Sequence, residues 1–515
     1  MKPFFLLMLC ALQAINLFAQ PMPYLDKQST RTRMMVDGKP FLMLAGELGN
    51  SSSSSARYMR PIWSDLKKMH LNSVLIPAYW EMIEPEEGKF NFELIDSMIM
   101  GARSRHLKIV FLWFGSWKNS MSCYAPQWVK ENQQRFPRAR MHDGSPVEIL
   151  TPFSNENLEA DINAFTAFMQ HIKDTDKDRT VIMIQVENEI GMIPDARDYC
   201  DLAERAFNEQ VPAGLLKLGN KKQGSWEEVF GKGLQTDELF MAWHFAQYTG
   251  KVAEAGKSIY NLPMYVNAAL IRQGYKPGQY PSAGPLPHLI DIWKAAAPSI
   301  DLFSPDIYFR NFTEWAARYD LPGNPLFIPE VGNTQSMAQA FYAFGKHNAI
   351  GYSPFSIESV SDPATNQICR AYSLLEQLSP LILENQGTGT MQGFLLDSAL
   401  QVVKIRLGKY LFTVKHEYSW AYAIKTEGET PRNGGLIIML GPDEFVIAGT
   451  GVIVTFESVA DKSLAGIGTL DEVQYLDGKW IYGRRMNGDQ SHQGRHMHLP
   501  GGDFTMQKVN LYLYK

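Results

Sequence analysis

Eight short apolar runs, separated by longer stretches of helical pattern, are the feature of this 515-residue sequence that most restricts its fold. The runs occupy residues 41–44, 73–77, 109–114, 181–186, 264–266, 302–308, 326–328 and 350–355. Their near-continuous hydrophobicity is typical of parallel strands that are buried on both faces. Between them, apolar residues recur every three or four positions, as at Leu158, Ile162 and Phe165, which predicts helices.

Strands that alternate with helices predict an α/β fold, a (β/α)8 TIM barrel over residues 20–380. A doubly wound open sheet is the alternative, although the sequence offers no glycine-rich phosphate loop to support it. The serine run at 51–55 is either a flexible linker or a loop at the barrel mouth. We favour the loop, because the run directly follows the first strand.

The chain changes character after about residue 385. Val403, Ile405 and Leu407 alternate with charged residues, and glycines punctuate the region at short intervals. Many short strands with turn signals are typical of a β-sandwich. We therefore predict a C-terminal β-sandwich domain over residues 385–515.

The N-terminus and the overall composition indicate an exported protein. Lys2 precedes an apolar stretch over residues 4–18, and Ala19-Gln20 is a plausible cleavage point, so residues 1–19 are predicted to be a signal peptide. The stretch is too short for a stable membrane span. Leu9 precedes Cys10 where a lipoprotein would carry a small residue, which argues against lipidation. We expect a periplasmic or extracellular location.

Charge and cysteine content exclude several classes of protein. The net charge is −5 and basic residues are scattered, so no nucleic-acid partner is predicted. The cysteines left after removal of residues 1–19 are odd in number and have no CxxC spacing, which argues against a disulfide framework or a zinc cluster. HExxH spacing is absent too. We expect no metal and no cofactor, and the sequence leaves open a homo-oligomer.

The strongest chemical signal follows the fourth apolar run. There the sequence reads QVENEIG, with two carboxylates flanking an amide. The C-terminal ends of parallel barrel strands form the functional face, and period-two alternation would point Glu187 and Glu189 the same way. Taken alone, such carboxylates could instead bind a metal or cap a helix.

A second carboxylate, Glu330, ends the seventh run in the sequence PLFIPE. The ends of strands four and seven lie on opposite sides of a barrel, so Glu189 and Glu330 can approach each other across its mouth. Glycoside hydrolysis needs such a pair, one neutral to protonate the leaving oxygen and one ionised. A separation of about 5–5.5 Å gives retention, and roughly 6.5–9.5 Å gives inversion.

These motifs resemble those of clan A glycoside hydrolases. QVENEIG is similar to the signature of family 35, the β-galactosidases, and the stretch YWEMIEPEEGKFNF at 79–92 is similar to a motif of families 35 and 42. The C-terminal region resembles the β domain, often labelled as of unknown function, that follows the barrel in a bacterial subgroup of these proteins.

The resemblance implies roles for individual residues. Glu189 would be the proton donor, Glu330 the nucleophile, and Asn188 a hydrogen-bond partner of the sugar 2-hydroxyl. Tyr308 would donate to the nucleophile, with a place in the barrel core as the alternative. Glu187 is expected to be structural or to support the site, rather than to contact the sugar.

The sequence also departs from the family 35 pattern. The first strand continues as AGELGN instead of a histidine-containing stretch, and the third reads WFGSW instead of ending in an alanine-glutamate pair. Both loops line the sugar pocket in that family, so the sugar is less certain than the chemistry. Trp80 and Trp117 are the predicted stacking platforms for a hexose, with burial as the alternative. Glu47 is a further candidate for the pocket.

The sequence therefore predicts a retaining, exo-acting glycoside hydrolase, most simply a β-galactosidase acting on oligosaccharides or polysaccharides. One alternative keeps the mechanism but changes the terminal sugar, for instance to an arabinoside or a glucoside. Another is a glycan-binding barrel without catalysis. The presence of both Glu189 and Glu330 argues against that alternative, because a retired site needs neither carboxylate.

Overall fold

The computed structural model describes residues 21–333, 336–417, 432–459, 461 and 463–515. The predicted signal peptide and Cys10 therefore lie outside the described residues. Within them, no helix has the length and apolar character needed to cross a bilayer. Cys123, Cys200 and Cys369 are buried and unpaired.

A closed barrel of eight parallel strands forms the first large unit, as predicted. Its strands, in chain order, are β4 (Met43–Glu47), β5 (Ser73–Tyr79), β6 (Lys108–Lys118), β9 (Val181–Asn188), β10 (Met264–Ala269), β11 (Leu302–Ile307), β12 (Phe327–Gly332) and β13 (Gly351–Phe355). Each of the eight apolar runs supplies one of these strands. β5 is buried along its whole length, as a strand between a filled barrel interior and a helical layer must be.

Helices surround the barrel and account for the periodic stretches between the strands. They are α1 (Ala56–Lys68), α2 (Trp80–Ile83), α3 (Glu93–Arg103), α4 (Gln127–Glu131), α5 (Asn155–Thr175), α6 (Asp201–Phe207), α7 (Ala213–Gly219), α8 (Trp226–Phe230), α9 (Leu234–Ile259), α10 (Ile290–Ala296), α11 (Phe312–Tyr319), α12 (Ala338–His347) and α13 (Gln367–Asn385). The serine run forms a short 3-10 turn after β4, and Ser55 then caps α1 by accepting from the Tyr58 amide at 3.2 Å. The run therefore lies at the barrel mouth, as favoured.

Two small β elements flank these barrel strands. β1 (Tyr24–Lys27), β2 (Thr32–Val36) and β3 (Lys39–Phe41) form an antiparallel sheet ahead of the barrel, and β7 (Arg138–Arg140) pairs with β8 (Pro146–Leu150) after the third barrel strand. Met34 and Val36 of β2 belong to the same cluster of buried side chains as Leu75 and Val110 inside the barrel.

The C-terminal region forms two antiparallel sheets, as the alternating pattern predicted. One has the order β14-β17-β18-β23-β20-β21 and the other the order β15-β16-β19-β22. Their bounds are β14 (Met391–Leu396), β15 (Val402–Leu407), β16 (Tyr410–His416), β17 (Asn433–Met439), β18 (Glu444–Thr450), β19 (Val452–Ser458), β20 (Leu464–Leu476), β21 (Lys479–Arg485), β22 (His496–Leu499) and β23 (Thr505–Tyr514).

The barrel and the C-terminal sheets share one apolar core. Leu436 and Val446 of the larger sheet belong to the cluster that also contains Phe341 of α12. At Gly345 of α12, a Cβ would lie 2.8 Å from the backbone of Gly393 in β14, so helix and strand approach too closely for side chains. The last barrel helix, α13, runs to Asn385, past the predicted end of the barrel domain at residue 380.

Candidate active site

Glu189 and Glu330 approach each other at the C-terminal end of the barrel. Glu189 directly follows β9, the fourth barrel strand, and Glu330 lies in β12, the seventh. One carboxylate oxygen of each lies within 4.8 Å of the other and of an oxygen of Asp306 on β11. The two carboxylates that the sequence placed at the ends of strands four and seven therefore do lie close together.

The environment of Glu189 favours its protonated form. The side chain is buried, and burial together with the negative charge of Glu330 raises its pKa to about 7, against an opposing effect of Lys118. Its backbone amide donates to the Asn267 side-chain oxygen at 2.9 Å, and its carbonyl accepts from the Ser120 hydroxyl at 2.6 Å. Both backbone polar groups of Glu189 are therefore fixed by side chains of neighbouring elements.

Glu330 is surrounded by hydrogen-bond donors. The Tyr308 hydroxyl donates to Oε2 at 2.8 Å, and the side-chain amides of Asn188 and Asn267 each donate to Oε1 at 3.4 Å. Three donors directed at one carboxyl group hold it in a fixed orientation. Glu189 and Glu330 therefore differ in environment in the way that an acid and a nucleophile require.

Tyr308 lies at the barrel mouth, with 43% of its surface exposed. It directly follows β11, and its hydroxyl reaches Glu330 as the resemblance implied. The alternative, a place in the barrel core, is therefore wrong. Burial of the hydroxyl and the charge of Glu330 raise the pKa of Tyr308, which keeps the hydroxyl a donor.

Asn188 is fully buried and connects two strand ends. Its side-chain oxygen accepts from the Lys118 ammonium at 2.8 Å, while its amide nitrogen faces Glu330. The end of β6 and the end of β12 are thereby joined through one amide. Lys118 was not singled out from the sequence.

Glu47 and Asp306 add two more buried acidic groups to this cluster. The pKa of each is raised well above its ordinary value by burial and then by the charge of Glu330. When protonated, Glu47 donates to Glu330; when ionised, neither of its oxygens has a donor among the described residues. Asp306 accepts from the Asn267 amide at 2.7 Å through Oδ2, while Oδ1 has no described partner.

Three of these carboxylates could in principle hold a metal ion. However, both oxygens of Glu330 and Oδ2 of Asp306 already accept hydrogen bonds from protein donors. A hard cation would have to compete with these donors for the same lone pairs. The arrangement therefore favours proton chemistry.

Trp80 and Trp117 do not form the sugar platform, so that prediction is wrong. Both side chains have 0% exposure. The Trp80 ring nitrogen donates to Glu84 at 2.9 Å, and that of Trp117 donates to the Leu150 carbonyl at 3.1 Å. Both belong to the core between the strands and the helices. The ring that reaches Glu330 is instead that of Tyr308, and the partly exposed Phe355 ring lies 6.5 Å from it, centroid to centroid.

Glu187 belongs to a separate cluster beside β9. Its two oxygens accept from the backbone amides of Ser116 and Trp117 at 3.1 and 2.8 Å, and it lies against Asp161 of α5. The expectation that Glu187 and Glu189 point the same way is wrong. Both residues have left-handed backbone angles, φ +63° and +44°, so regular strand alternation does not hold there.

Sequence reasoning missed Lys118, Asn267 and Asp306. Asp306 was visible as a polar residue within an apolar run, and Asn267 directly follows one, at strand ends where functional side chains collect. Lys118 gave no such signal, because it follows a run of aromatic residues and resembles a surface lysine.

A closed parallel barrel with acidic residues at the ends of strands four and seven is consistent with the resemblance to clan A glycoside hydrolases that the motifs indicated. Comparison with known families agrees. Residues 53–230 match the profile of glycoside hydrolase family 42, described as Beta-galactosidase. This part of the barrel is therefore similar to a glycoside hydrolase domain. Residues 368–498 match a domain of unknown function, DUF5597.

The family 42 match includes Asn188 and Glu189 and ends before Glu330. The role of Glu330 therefore depends on the geometry and not on the match. The matched profile is that of family 42, whereas the QVENEIG motif had suggested family 35 first. A search of curated proteins returned no match.

Similar solved structures include three β-galactosidases. That of Marinomonas ef1 has a TM-score of 0.47 at 12% identity, over 67% of this chain and 61% of that one. The cold-adapted enzyme of Rahnella sp. R3 has a TM-score of 0.48 at 15% identity, over 67% and 57%. The Halorubrum lacusprofundi enzyme has a TM-score of 0.49 at 14% identity, over 65% and 58%. The chain thus spans less than two thirds of each.

Proposed function

We propose that the protein is a retaining, exo-acting β-galactosidase that releases terminal galactose from oligosaccharides or polysaccharides. The observation that carries the proposal is the asymmetric pair at the barrel mouth. Glu189 and Glu330 have oxygens within 4.8 Å, Glu189 has a pKa raised to about 7 by burial and the Glu330 charge, and Glu330 accepts three hydrogen bonds. The short separation supports retention.

In the first step, a Glu330 oxygen attacks the anomeric carbon and the bond from that carbon to the leaving oxygen breaks. Glu189 gives its proton to the leaving oxygen. In the second step, ionised Glu189 takes a proton from water, whose oxygen attacks the anomeric carbon and releases Glu330. Tyr308 holds the Glu330 carboxylate in place through its 2.8 Å hydrogen bond.

Galactose is supported by the description of the matched family, Beta-galactosidase. A different terminal sugar is favoured by one feature of the site. The third strand reads WFGSW where the family 35 pattern has an alanine-glutamate pair, and the buried Lys118 that follows lies beside Asn188. The stereochemistry and the sugar can be tested in the same assay.

The test is a panel of aryl β-glycosides of galactose, arabinose and glucose, assayed with wild type, Glu330→Gln and Glu314→Gln. Glu314 is an exposed residue of α11 and serves as the matched control. We expect turnover of the galactoside by wild type and Glu314→Gln, with the β anomer as the first product in NMR. Equal turnover by Glu330→Gln would remove Glu330 from the nucleophile role. An α first product would exclude retention.

Assays of wild type and a Glu189 variant also distinguish the enzyme from the alternative, a glycan-binding protein without catalysis. Binding of galactosides by Glu189→Gln, with no hydrolysis by wild type, would favour that alternative.

We also propose that the protein is exported to the periplasm or beyond, on the strength of Lys2 and the apolar stretch at 4–18. N-terminal sequencing of the cell-free or periplasmic protein tests this. Retention of Met1 in an intracellular product would contradict it.

A further inference from the structure

Residues 118–120, at the end of β6, form hydrogen bonds to Asn188 and Glu189 at the end of β9. The Lys118 ammonium donates to the Asn188 side-chain oxygen at 2.8 Å, the Asn119 amide donates to the Asn188 carbonyl at 3.2 Å, and the Ser120 hydroxyl donates to the Glu189 carbonyl at 2.6 Å. Asn119 and Ser120 adopt left-handed backbone angles, φ +54° and +57°. Lys118, Asn119 and Ser120 thus hold Asn188 and Glu189 in place.

Of these contacts, the one from Lys118 decides how the Asn188 amide is oriented. An ammonium group can donate but cannot accept, so it binds only the oxygen end of an amide. The nitrogen end of Asn188 must then face the other way, toward Oε1 of Glu330, where it lies at 3.4 Å. Without the cation, the amide could turn and direct its oxygen at the carboxylate.

Lys118 is also a buried charge, with 5% exposure. Its ammonium lies 4.9 Å from the centre of the Phe114 ring. The acidic groups that face it are Glu47 of β4 and Glu189 after β9, with Glu330 of β12 beyond Asn188. A desolvated ammonium is costly unless its surroundings are negative, which explains why a lysine is stable here.

We infer that Lys118 is a positioning residue: it fixes the Asn188 amide so that its donor faces the nucleophile and the 2-hydroxyl of the reacting sugar. This inference rests on the proposed function for the identity of the reaction. It assigns to Lys118 an effect that depends on the substrate's 2-hydroxyl, which a merely structural lysine would not have.

The test compares Lys118→Met, Lys118→Arg and Lys108→Met. Lys108 begins the same strand, is one-fifth exposed and pairs with Asp37 at 3.0 Å, far from the mouth, so its variant is the matched control. Each protein is assayed on an aryl β-galactoside and on the 2-deoxy analogue. On the first substrate, Lys118→Met should lose about 10- to 100-fold in kcat/KM, the range for a hydrogen bond from a charged donor.

On the 2-deoxy substrate, Lys118→Met should lose far less, and Lys118→Arg should recover part of the activity on the galactoside because it keeps a cation that only donates. Lys108→Met should resemble wild type on both. Equal losses on the two substrates, or no loss on either, would overturn the inference.

A second measurement does not depend on turnover. Carboxyl-labelled glutamate allows NMR titration, with the Glu189 signal assigned by its absence in Glu189→Gln. Because Lys118 lowers the pKa of Glu189, Lys118→Met should move that titration to higher pH, and Lys108→Met should leave it in place. If wild type hydrolyses no glycoside, the proposed function fails while this titration still tests Lys118. An unmoved titration would count against the inference.

Discussion

Two buried acidic clusters lie beside the same strand, and they differ in how well their oxygens are satisfied. In the cluster around Glu187, all four carboxylate oxygens accept hydrogen bonds from the protein. Two backbone amides donate to Glu187. The Trp113 ring nitrogen, the Ser116 hydroxyl and the Tyr248 hydroxyl donate to Asp161 at 2.9, 2.6 and 3.2 Å. Around Glu189, both oxygens of Glu47 and one of Asp306 have no described donor.

This difference separates a structural role from a chemical one. A buried carboxyl group without a donor destabilises the folded protein, so an unsatisfied cluster calls for a functional reason. In the cluster around Glu189, a bound sugar's hydroxyl groups can supply the missing donors. The Glu187 pair needs no ligand and instead ties α5 to the end of the third strand.

The largest expected effect is on catalysis at the unsatisfied cluster. Glu189→Gln should lower kcat/KM by about 10² to 10⁴-fold on an aryl galactoside with a poor leaving group, the usual contribution of a general acid. On a dinitrophenyl galactoside, which leaves without protonation, the first step should be nearly unaffected. Equal losses on both substrates in stopped-flow assays would show that Glu189 is not the proton donor.

Removing an acid from the satisfied cluster should affect stability more than chemistry. Asp161→Ala leaves the buried Trp113 ring nitrogen without an acceptor and removes one acceptor from the Ser116 and Tyr248 hydroxyls. It should cost roughly 2 to 4 kcal/mol in the free energy of unfolding, measured in urea. Asp174→Ala, at an exposed position of the same helix, is the control and should change little. If Asp161→Ala keeps wild-type stability but loses turnover, the two clusters do not divide the roles as proposed.

At the unsatisfied cluster, the same kind of change should have the opposite effect on stability. The pKa of Glu189 is raised from 4.5 to about 7 by burial and the Glu330 charge, so between these values the folded protein binds more protons than the unfolded chain. The stability supplied by this group is complete below pH 4.5 and is lost as pH rises through 7.

Glu189→Gln removes that loss, so above pH 7 the variant should be more stable than wild type by roughly 1 to 3 kcal/mol. Below pH 4.5 the two should be similar. Thermal unfolding across this pH range measures the difference. A variant that is less stable than wild type at pH 8 would contradict the raised pKa.

The strand count and the strand ends could be predicted from sequence, because parallel strands buried on both faces leave continuous apolar runs. The same runs place Glu189 and Glu330 at strand ends. The direction of single side chains could not be predicted where the backbone leaves the regular strand. Left-handed angles at Glu187 and Glu189 direct the two glutamates into different clusters, and no local pattern in QVENEIG indicates this.

Partners from distant parts of the chain were equally hidden. Lys118 meets Asn188 only because the barrel places β6 beside β9, and Asp161 lies on a helix whose periodicity predicts only its apolar face. The prediction that Trp80 and Trp117 form the sugar platform was wrong for a related reason. A Trp at a strand end fits a sugar platform and a core position equally well, and packing decides which.

The smallest expected effect tests that correction. Trp80→Phe removes the hydrogen bond to Glu84 but keeps an apolar ring in the core, so it should cost about 1 kcal/mol in stability. The KM for an aryl galactoside should not change, because the Trp80 ring, with 0% exposure, faces no substrate. Phe355→Ala, at the partly exposed end of β13, should raise KM instead. A higher KM for Trp80→Phe at wild-type stability would mean that Trp80 turns toward the mouth in solution, and the division between core and site would have to be redrawn there.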